Sequence, residues 1–403
     1  MDGIMMATMT PPSRSTPRRR PAAGSPRGSP EGALPAAASA AKPSSTLGLA
    51  NTPASSAAPP QTSKGAVTSI DVARLAEVSQ SAVSRTFTPG ASVAPETRAR
   101  VLEAARKLGY RPNAIARTLS TRRSRMIALV MSNLQNQFYP LVVERLSQRL
   151  QADGYHVLLF ITETEDADEL LVELMRYQVD GIVMASTQLS SGLAQQIAQA
   201  RIPVVMFNRN TRAGRVCTVS SDNLGGGRAV AHFLAEGGHL RVAYLAGAED
   251  SSTNADRERG LRDGLAECGL RVVARAVGDY DFERAKLATR ELFGPLVAPA
   301  ERPDALFVAS DHMAFAAMDV LRLELGLRVP EDVSVVGYDD VPQAAWGAYA
   351  LTTVAQDASA MIEATVGMLL RQLDDDAVAR EQVVLPATLV VRASARRPAG
   401  GTP

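Results

Sequence analysis

The stretch RLAEVSQSAVSRTF, Arg74 to Phe87, decides how the front of this chain is read. It has the outline of a helix, a tight turn and a second helix. Ser79 suits the N-cap, because its hydroxyl can accept an N–H of the first turn, and Ala82 and Val83 then face inward. In a helix-turn-helix the second helix enters the major groove with its N-terminal side chains on base edges. Gln80 and Ser81 occupy that end, and Gln can pair bidentately with adenine. Arg85 lies one turn further along and suits guanine or a phosphate, while Ser79, Ser84 and Thr88 can also reach the DNA backbone. Glu77 occupies the turn, where glycine is expected; either the first helix runs on through it or a left-handed turn is tolerated. The carboxylate is expected to point to solvent, away from phosphate.

Outward from this stretch the helical pattern continues. TSID, residues 68–71, reads as a capping box. Val72, Leu75 and Ala76 then share an inward face. A third helix is predicted from Pro95 to Leu108, with Val101, Leu102 and Ala105 inward and Gly109 ending it. Next comes YRPNAIARTLSTRRS, residues 110–124. Pro112 breaks the chain, Asn113 can cap, and Ala114 to Ser120 makes about two turns, too short to hold a helix alone.

Charge is distributed unevenly. Residues 1–66 carry 7 Lys+Arg and 2 Asp+Glu, and residues 67–125 carry 11 and 4, whereas the whole 403-residue chain is only +1. A front of net +5 and +7 ahead of a body of −11 points to a polyanionic partner at one end. Residues 1–66 are rich in Pro, Ala, Ser and Gly with few large apolar residues, and are expected to be disordered. Arg18-Arg19-Arg20 reads as a solvated cluster. Residues 396–403 are expected to form a second short tail.

From Met126 apolar runs alternate with amphipathic helices. The runs are MIALVM (126–131), HVLLF (156–160), GIVMA (181–185), PVVMF (203–207), RVAYLAG (241–247), DALFVAS (304–310) and VSVVGYDD (333–340). Such runs suit strands buried on both faces, and the rhythm implies parallel sheets with helices between. Some 270 residues exceed one sheet, so two α/β lobes are expected. Ligands of such folds sit beyond the carboxyl ends of the strands.

Enzyme signatures are missing from the sequence: there is no GxxxxGK[ST], GxSxG or HExxH, and Gly225-Gly226-Gly227 is not a dinucleotide fingerprint but a closely packed helix start. Asp339-Asp340 has no nucleophile near it in sequence. Two distant cysteines, Cys217 and Cys268, and four scattered histidines give no metal or disulfide pattern, and no cofactor is implied. No apolar run of 18 residues and no secretory signal are found, so no membrane role and a cytoplasmic location are expected.

With these features in place, the chain resembles the LacI/GalR family of bacterial transcription regulators. The likeness rests on SIDVARLAEVSQSAVSRTF, VAPETRARVLEAARKLGYRPNAIARTLST, DGIVM, IPVVMFNR, VSSDNLGGGRAVAHFLAEGGH, SDHMAFAAMDVL and RVPEDVSVVGYDD, in order across residues 67–395. The resemblance implies a helix-turn-helix domain over 67–111 and a hinge helix over 112–124. A two-lobed, periplasmic-binding-protein-like domain follows over 125–395. It also implies a homodimer on a pseudo-palindromic double-stranded operator, a repressor role, and a small, sugar-like effector between the lobes. Leu119 matches the hinge leucine that enters the minor groove, with Tyr110, Asn113, Ala116 and Arg117 around it. The matching effector positions are Ser132, Asn136, Phe138, Tyr139, Asn208, Arg257, Tyr280, Asp311 and Asp339. Asp311 has a second reading, as a cap of the helix that follows it. Ser310, NQFY at 136–139 and Asn208 depart from the family pattern at the pocket, so the effector's identity does not carry over. Ala94 lacks the usual capping hydroxyl of the third helix. RRPAGGTP at the C-terminus holds no leucine heptads, so no coiled-coil tetramer is expected. The alternative reading is a metabolite-binding protein without specific DNA recognition.

Overall fold

The computed structural model describes residues 67–88, 90–111, 123–132, 134–162, 174, 176–185, 191–209, 216–375 and 381–397. The chain divides into two units, 1–66 and 67–403, and all described residues belong to the second. The expected tail 1–66, the hinge residues Asn113, Ala116, Arg117 and Leu119, and residues 398–403 lie outside the description.

Three short helices open the unit: α1 (Ser69–Ala76), α2 (Gln80–Thr86) and α3 (Pro95–Leu108). The Thr68–Asp71 capping box forms as the sequence implies, Ser79 caps α2, and Gly109 ends α3 at φ 66°. Ala94 makes no side-chain cap bond. Two inward assignments are corrected: Leu75 and Leu102 are about half exposed, and Ala73 and Ala104 are buried in their place. Three helices packed around Val72, Val83 and Val101 leave room for alanine at the crossings, and the bulkier leucines turn outward.

Glu77 ends α1 in the left-handed region, φ 50° and ψ 50°, with an exposed side chain. The strained-turn alternative is therefore the one the chain adopts. A residue with a Cβ is disfavoured there, so Glu77→Gly should raise the stability of this domain by about 1 kcal/mol in urea unfolding. Lower stability of the variant would contradict a strained turn.

The body holds β1 (Met126–Met131), α4 (Phe138–Ala152), β2 (His156–Ile161), β3 (Gly181–Ala185), α5 (Ser191–Ala200), β4 (Val204–Phe207) and β5 (Cys217–Ser221). Then follow α6 (Asn223–Glu236), β6 (Val242–Ala246), α7 (Ser252–Glu267), β7 (Val272–Val277), α8 (Phe282–Phe293), β8 (Ala305–Val308) and α9 (Asp311–Asp319). A π-helical turn, Val320–Glu324, precedes β9 (Ser334–Asp339), β10 (Thr352–Gln356), α10 (Ala358–Asp374), β11 (Gln382–Leu385) and β12 (Ala387–Val390). Two six-stranded sheets result, in the orders β11-β5-β4-β3-β1-β2 and β12-β10-β9-β8-β6-β7. All recorded pairings are parallel except β10 with β12. The chain crosses between the sheets three times, at Asp222, Asp357 and Pro386, and Asp222 and Asp357 each cap the helix they enter. Central strands such as β3 and β6 are buried throughout, as the apolar runs predict, but β2 is not. It is an edge strand, and Leu159 and Ile161 stay exposed.

The glycine-rich start of α6 packs as read from sequence. A Cβ on Gly227 would lie 2.3 Å from the carbonyl oxygen of Arg257, and one on Gly260 2.1 Å from that of Leu224. The two helices touch backbone to backbone, and this close approach seats Arg257 beside the crossover.

Candidate functional site

On the small domain, the buried face of α2 is Val83 and Thr86. Gln80, Ser81, Ser84, Arg85 and Thr88 are exposed. Ser79 accepts from the N–H of Ala82 at 3.2 Å and its hydroxyl pairs with that of Ser81 at 2.9 Å. Gln80 donates to the Ser69 hydroxyl at 3.0 Å, which ties the first residue of α2 to the first of α1. Arg85 donates to the Ser81 carbonyl at 3.4 Å, and the Thr88 hydroxyl donates to the Ser84 backbone carbonyl at 2.9 Å. These local bonds set the side chains on one solvent-facing side. Tyr110 is half-buried against Phe87, with ring centroids 5.8 Å apart, so its ring also serves the domain core. Arg98 on α3 donates to the carbonyls of Thr86 and Ala91, holding the loop after α2. Sequence reading missed Ser69 and Arg98; both lie outside the turn motif.

In the body, the carboxyl ends of the strands of both sheets face a common cleft. Phe138 and Tyr139 meet edge to face at 5.6 Å, and Phe138 stacks on Phe207 at 6.4 Å. Ser132 is half-buried at the end of β1. Asn136 is buried and reaches the Asp339 carboxylate from the opposite lobe. Arg257 is 2% exposed. It donates to Asn223 at 2.8 Å and to the Ala309 carbonyl, lies 3.6 Å from Asp339, and sits 3.6 Å over the Tyr338 ring. Gln356 donates to Asp339 at 2.7 Å. Tyr280 joins the Thr253 and Ser251 hydroxyls at 3.2 and 3.4 Å. A cavity of about 250 Å³ adjoins this cleft where Phe138, Asp339 and Gln356 meet Pro342 and Arg392.

Of the two roles weighed for Asp311 from sequence, the helix cap falls to its neighbour instead. Ser310 caps α9, while the fully buried Asp311 carboxylate accepts from Val341 N–H at 2.9 Å and from the Thr353 hydroxyl. It braces the strand ends behind the cleft. Burial, with the nearby Asp339 charge, pushes its carboxyl well above the ordinary range.

Backbone strain gathers at the same place. Ten described non-glycine residues have positive φ; five of them, Asn208, Asp279, Tyr280, Asp339 and Asp340, follow or end strands at the cleft. Such strain costs about 1–3 kcal/mol each, persists only where the surrounding structure enforces it, and tends to cluster at ligand sites. Buried polar atoms without a hydrogen-bond partner also gather there: Asn208 Oδ1, His312 Nε2 and Gln356 Oε1. They are the capacity that hydroxyl groups of a ligand would use. Gln137, Arg209, Asn223, Ser251, Thr253, His312 and Gln356 were missed from sequence. Most neighbour a candidate in a strand-end loop, and Gln356 emerges only because β10 lies beside β9.

Burial pushes Asp339 up to about 6, against the Arg257 charge and the bonds from Asn136 and Gln356. A carboxyl raised on folding binds more protons in the folded state, so its ionisation costs stability above about 6 and that cost is relieved as pH falls toward 4. The stability of Asp339→Asn minus that of wild type should therefore decrease as pH is lowered from about 8 to about 5. A difference flat with pH would refute the burial argument.

Among the described residues, no helix is long and apolar enough to cross a membrane, and no His/Cys/Asp/Glu group is placed to hold a metal ion.

An exposed recognition helix ahead of two parallel-sheet lobes closing on a polar cleft defines a regulator with a periplasmic-binding-protein-like body. Residues 70–113 match the model of bacterial regulatory proteins of the lacI family, and residues 230–395 match the periplasmic binding protein-like domain. The HTH-type transcriptional regulator CelR of Thermobifida fusca is 35% identical over 80% of this chain and 96% of its own. A structure of a CelR–cellobiose complex covers 81% of this chain and 99% of that chain at 33% identity and a TM-score of 0.61. The lac repressor dimer bound to operator and the anti-inducer ONPF covers 82% and 99% at 28% identity and a TM-score of 0.73. The chain belongs to the LacI family of bacterial regulators and is a DNA-binding transcriptional regulator, not an enzyme.

Proposed function

We propose that this protein is a repressor that binds a pseudo-palindromic operator as a homodimer and answers to a sugar or sugar derivative held in the cleft. Residues 67–111 read the major groove through Gln80, Ser81 and Arg85, and residues 112–124 form the hinge with Leu119 as its wedge. The effector lies among Ser132, Asn136, Tyr139, Asn208, Arg257, Tyr280 and Asp339. One observation carries the effector reading: buried amide, carboxylate and guanidinium groups from both lobes converge beside Phe138, Tyr139 and Tyr280. Aromatic faces with a few fixed polar groups suit a polyhydroxylated ring. The cellobiose complex of CelR and the operator complex of the lac repressor support the two halves of the reading by likeness. Gel shifts with DNA from around the protein's own gene test it. One fragment should bind at least about 10³-fold more tightly than random DNA at fixed salt. Uniform binding to all fragments would favour a metabolite-binding protein whose basic front serves another role.

A further inference from the structure

The chain enters the body through three consecutive residues, and each of them is held. Asp180, just ahead of β3, accepts from the Ser124 N–H at 2.7 Å, the Ser124 hydroxyl at 2.8 Å and the Arg125 N–H at 2.9 Å. Arg123 donates to the Leu373 carbonyl at 2.9 Å and meets the Asp374 carboxylate at 3.3 Å, in the last turn of α10. A cation at that end also suits the helix dipole. The Arg125 guanidinium lies 5.1 Å over the Tyr155 ring and reaches the Asp153 carbonyl at 3.4 Å, in the turn between α4 and β2. Arg125 itself sits in the left-handed region, at φ 58°. It precedes β1, so this strain lies at the amino ends of the strands, and the cleft at their carboxyl ends does not account for it.

Three parts of the first lobe therefore grip the chain at one point: the residue ahead of β3, the end of α10 and the turn after α4. A simple tether needs none of this. Strained backbone that the surroundings enforce is a pointer to function. Extended chain adds about 3.3–3.6 Å of reach per residue, so freeing residues 123–125 would lengthen one linker by roughly 10 Å and the two linkers of a dimer by roughly 20 Å. A step of one base pair along DNA is only about 3.4 Å. A freed exit thus carries slack worth several base pairs, and the grip removes that slack.

We propose that Asp180 is a positioning residue for operator binding: with Arg123 as a second arm on α10, it fixes where the DNA-binding domain leaves the body and so sets the half-site spacing that a dimer accepts. This rests on the operator and homodimer reading above. Asp180 contacts no base in this role and acts through the linker alone. Its bonds to the two N–H groups are charge-assisted and so among the stronger side-chain contacts.

Gel shifts with full-length protein test this at fixed salt, using the selected fragment and versions with base pairs added or removed at its centre of symmetry. Wild type should lose at least about tenfold in affinity when one base pair is added, whereas Asp180→Ala should lose less than about threefold. Affinity for an isolated half-site should stay within about twofold of wild type, because the contacts to DNA are untouched. Asp180→Asn keeps one acceptor oxygen and should fall between the two. Arg123→Ala, at an exposed position, should shift the profile in the same direction and serves if Asp180→Ala does not fold. A wild type indifferent to spacing, or an unchanged profile in the variants, overturns the proposal. Hydrogen exchange gives a readout without DNA. The Met126 N–H donates to Ser124 Oγ at 3.2 Å and the His156 N–H to the Arg125 carbonyl at 2.8 Å, and neither bond involves Asp180. Both amides should exchange at least about tenfold faster in Asp180→Ala. If no fragment is bound selectively, the operator reading fails, and the exchange rates alone decide whether Asp180 fixes the exit: faster exchange upholds the grip and unchanged exchange disposes of it.

Discussion

Gln80→Ala together with Arg85→Ala should erase sequence discrimination and leave the fold intact. Each bidentate base contact contributes about 1–3 kcal/mol of discrimination, so the pair accounts for about 10²–10⁴-fold in specific affinity. Both side chains are exposed, while α2 is held by Val83 and Thr86 on its opposite face. Their removal gives up one bond from Gln80 to Ser69 and one from Arg85 to the Ser81 carbonyl. Exposed bonds of this kind change stability by at most about 0.5 kcal/mol. The variant's melting temperature should match wild type, and its affinity for random DNA should fall only by the contribution of one arginine charge. Gel-shift competition reads both quantities. A variant that still selects the same fragment would show that α2 does not read bases.

Arg257→Ala should have the largest effect on the body. The side chain is 2% exposed and bonds Asn223 and Ala309 while lying against Tyr338 and Asp339. Breaking a buried ion pair by removing one partner typically costs about 3–5 kcal/mol, because the remaining charge stays buried without compensation. The void left by the guanidinium adds to it. Urea unfolding should show a loss of that order, and effector binding should be lost with it. Asp339→Ala in the same chain should recover part of the stability, because no lone carboxylate then remains. A single variant that loses less than about 1 kcal/mol would mean that the pair is not what holds the second lobe to the crossover.

Much of this architecture is legible in the sequence, for reasons specific to its elements. The runs at 126–131, 181–185 and 241–247 contain strands buried on both faces, where only apolar residues fit. β5 has the sequence CTVSS, so its burial among hydrogen-bonded neighbours leaves no apolar run to detect. β7 alternates as an edge strand, and β11 and β12 are four residues each. Resemblance located the strand-end loops, and with them Asn136, Asn208, Arg257 and Asp339. It could not locate contacts between loops that are distant in sequence. Arg209 meets Thr253 and Gln137 meets His312 only because two separate sheets set those loops opposite each other. Arg396, assigned to a tail from composition, is instead pinned to Ser334 and His239 by the same long-range logic. At Glu77 the sequence exposed the conflict between residue and turn, and the backbone resolved it in favour of the turn.

The central claim is that the cleft and the recognition helix act on one equilibrium. It is tested most directly by titrating the specific DNA fragment into the protein with and without a saturating concentration of the sugar that gives the largest melting shift. The same sugar is then titrated with and without DNA. Linkage requires both affinities to change by the same factor, and the account predicts a factor of about 5–150. Identical operator affinity with and without the bound sugar would contradict it.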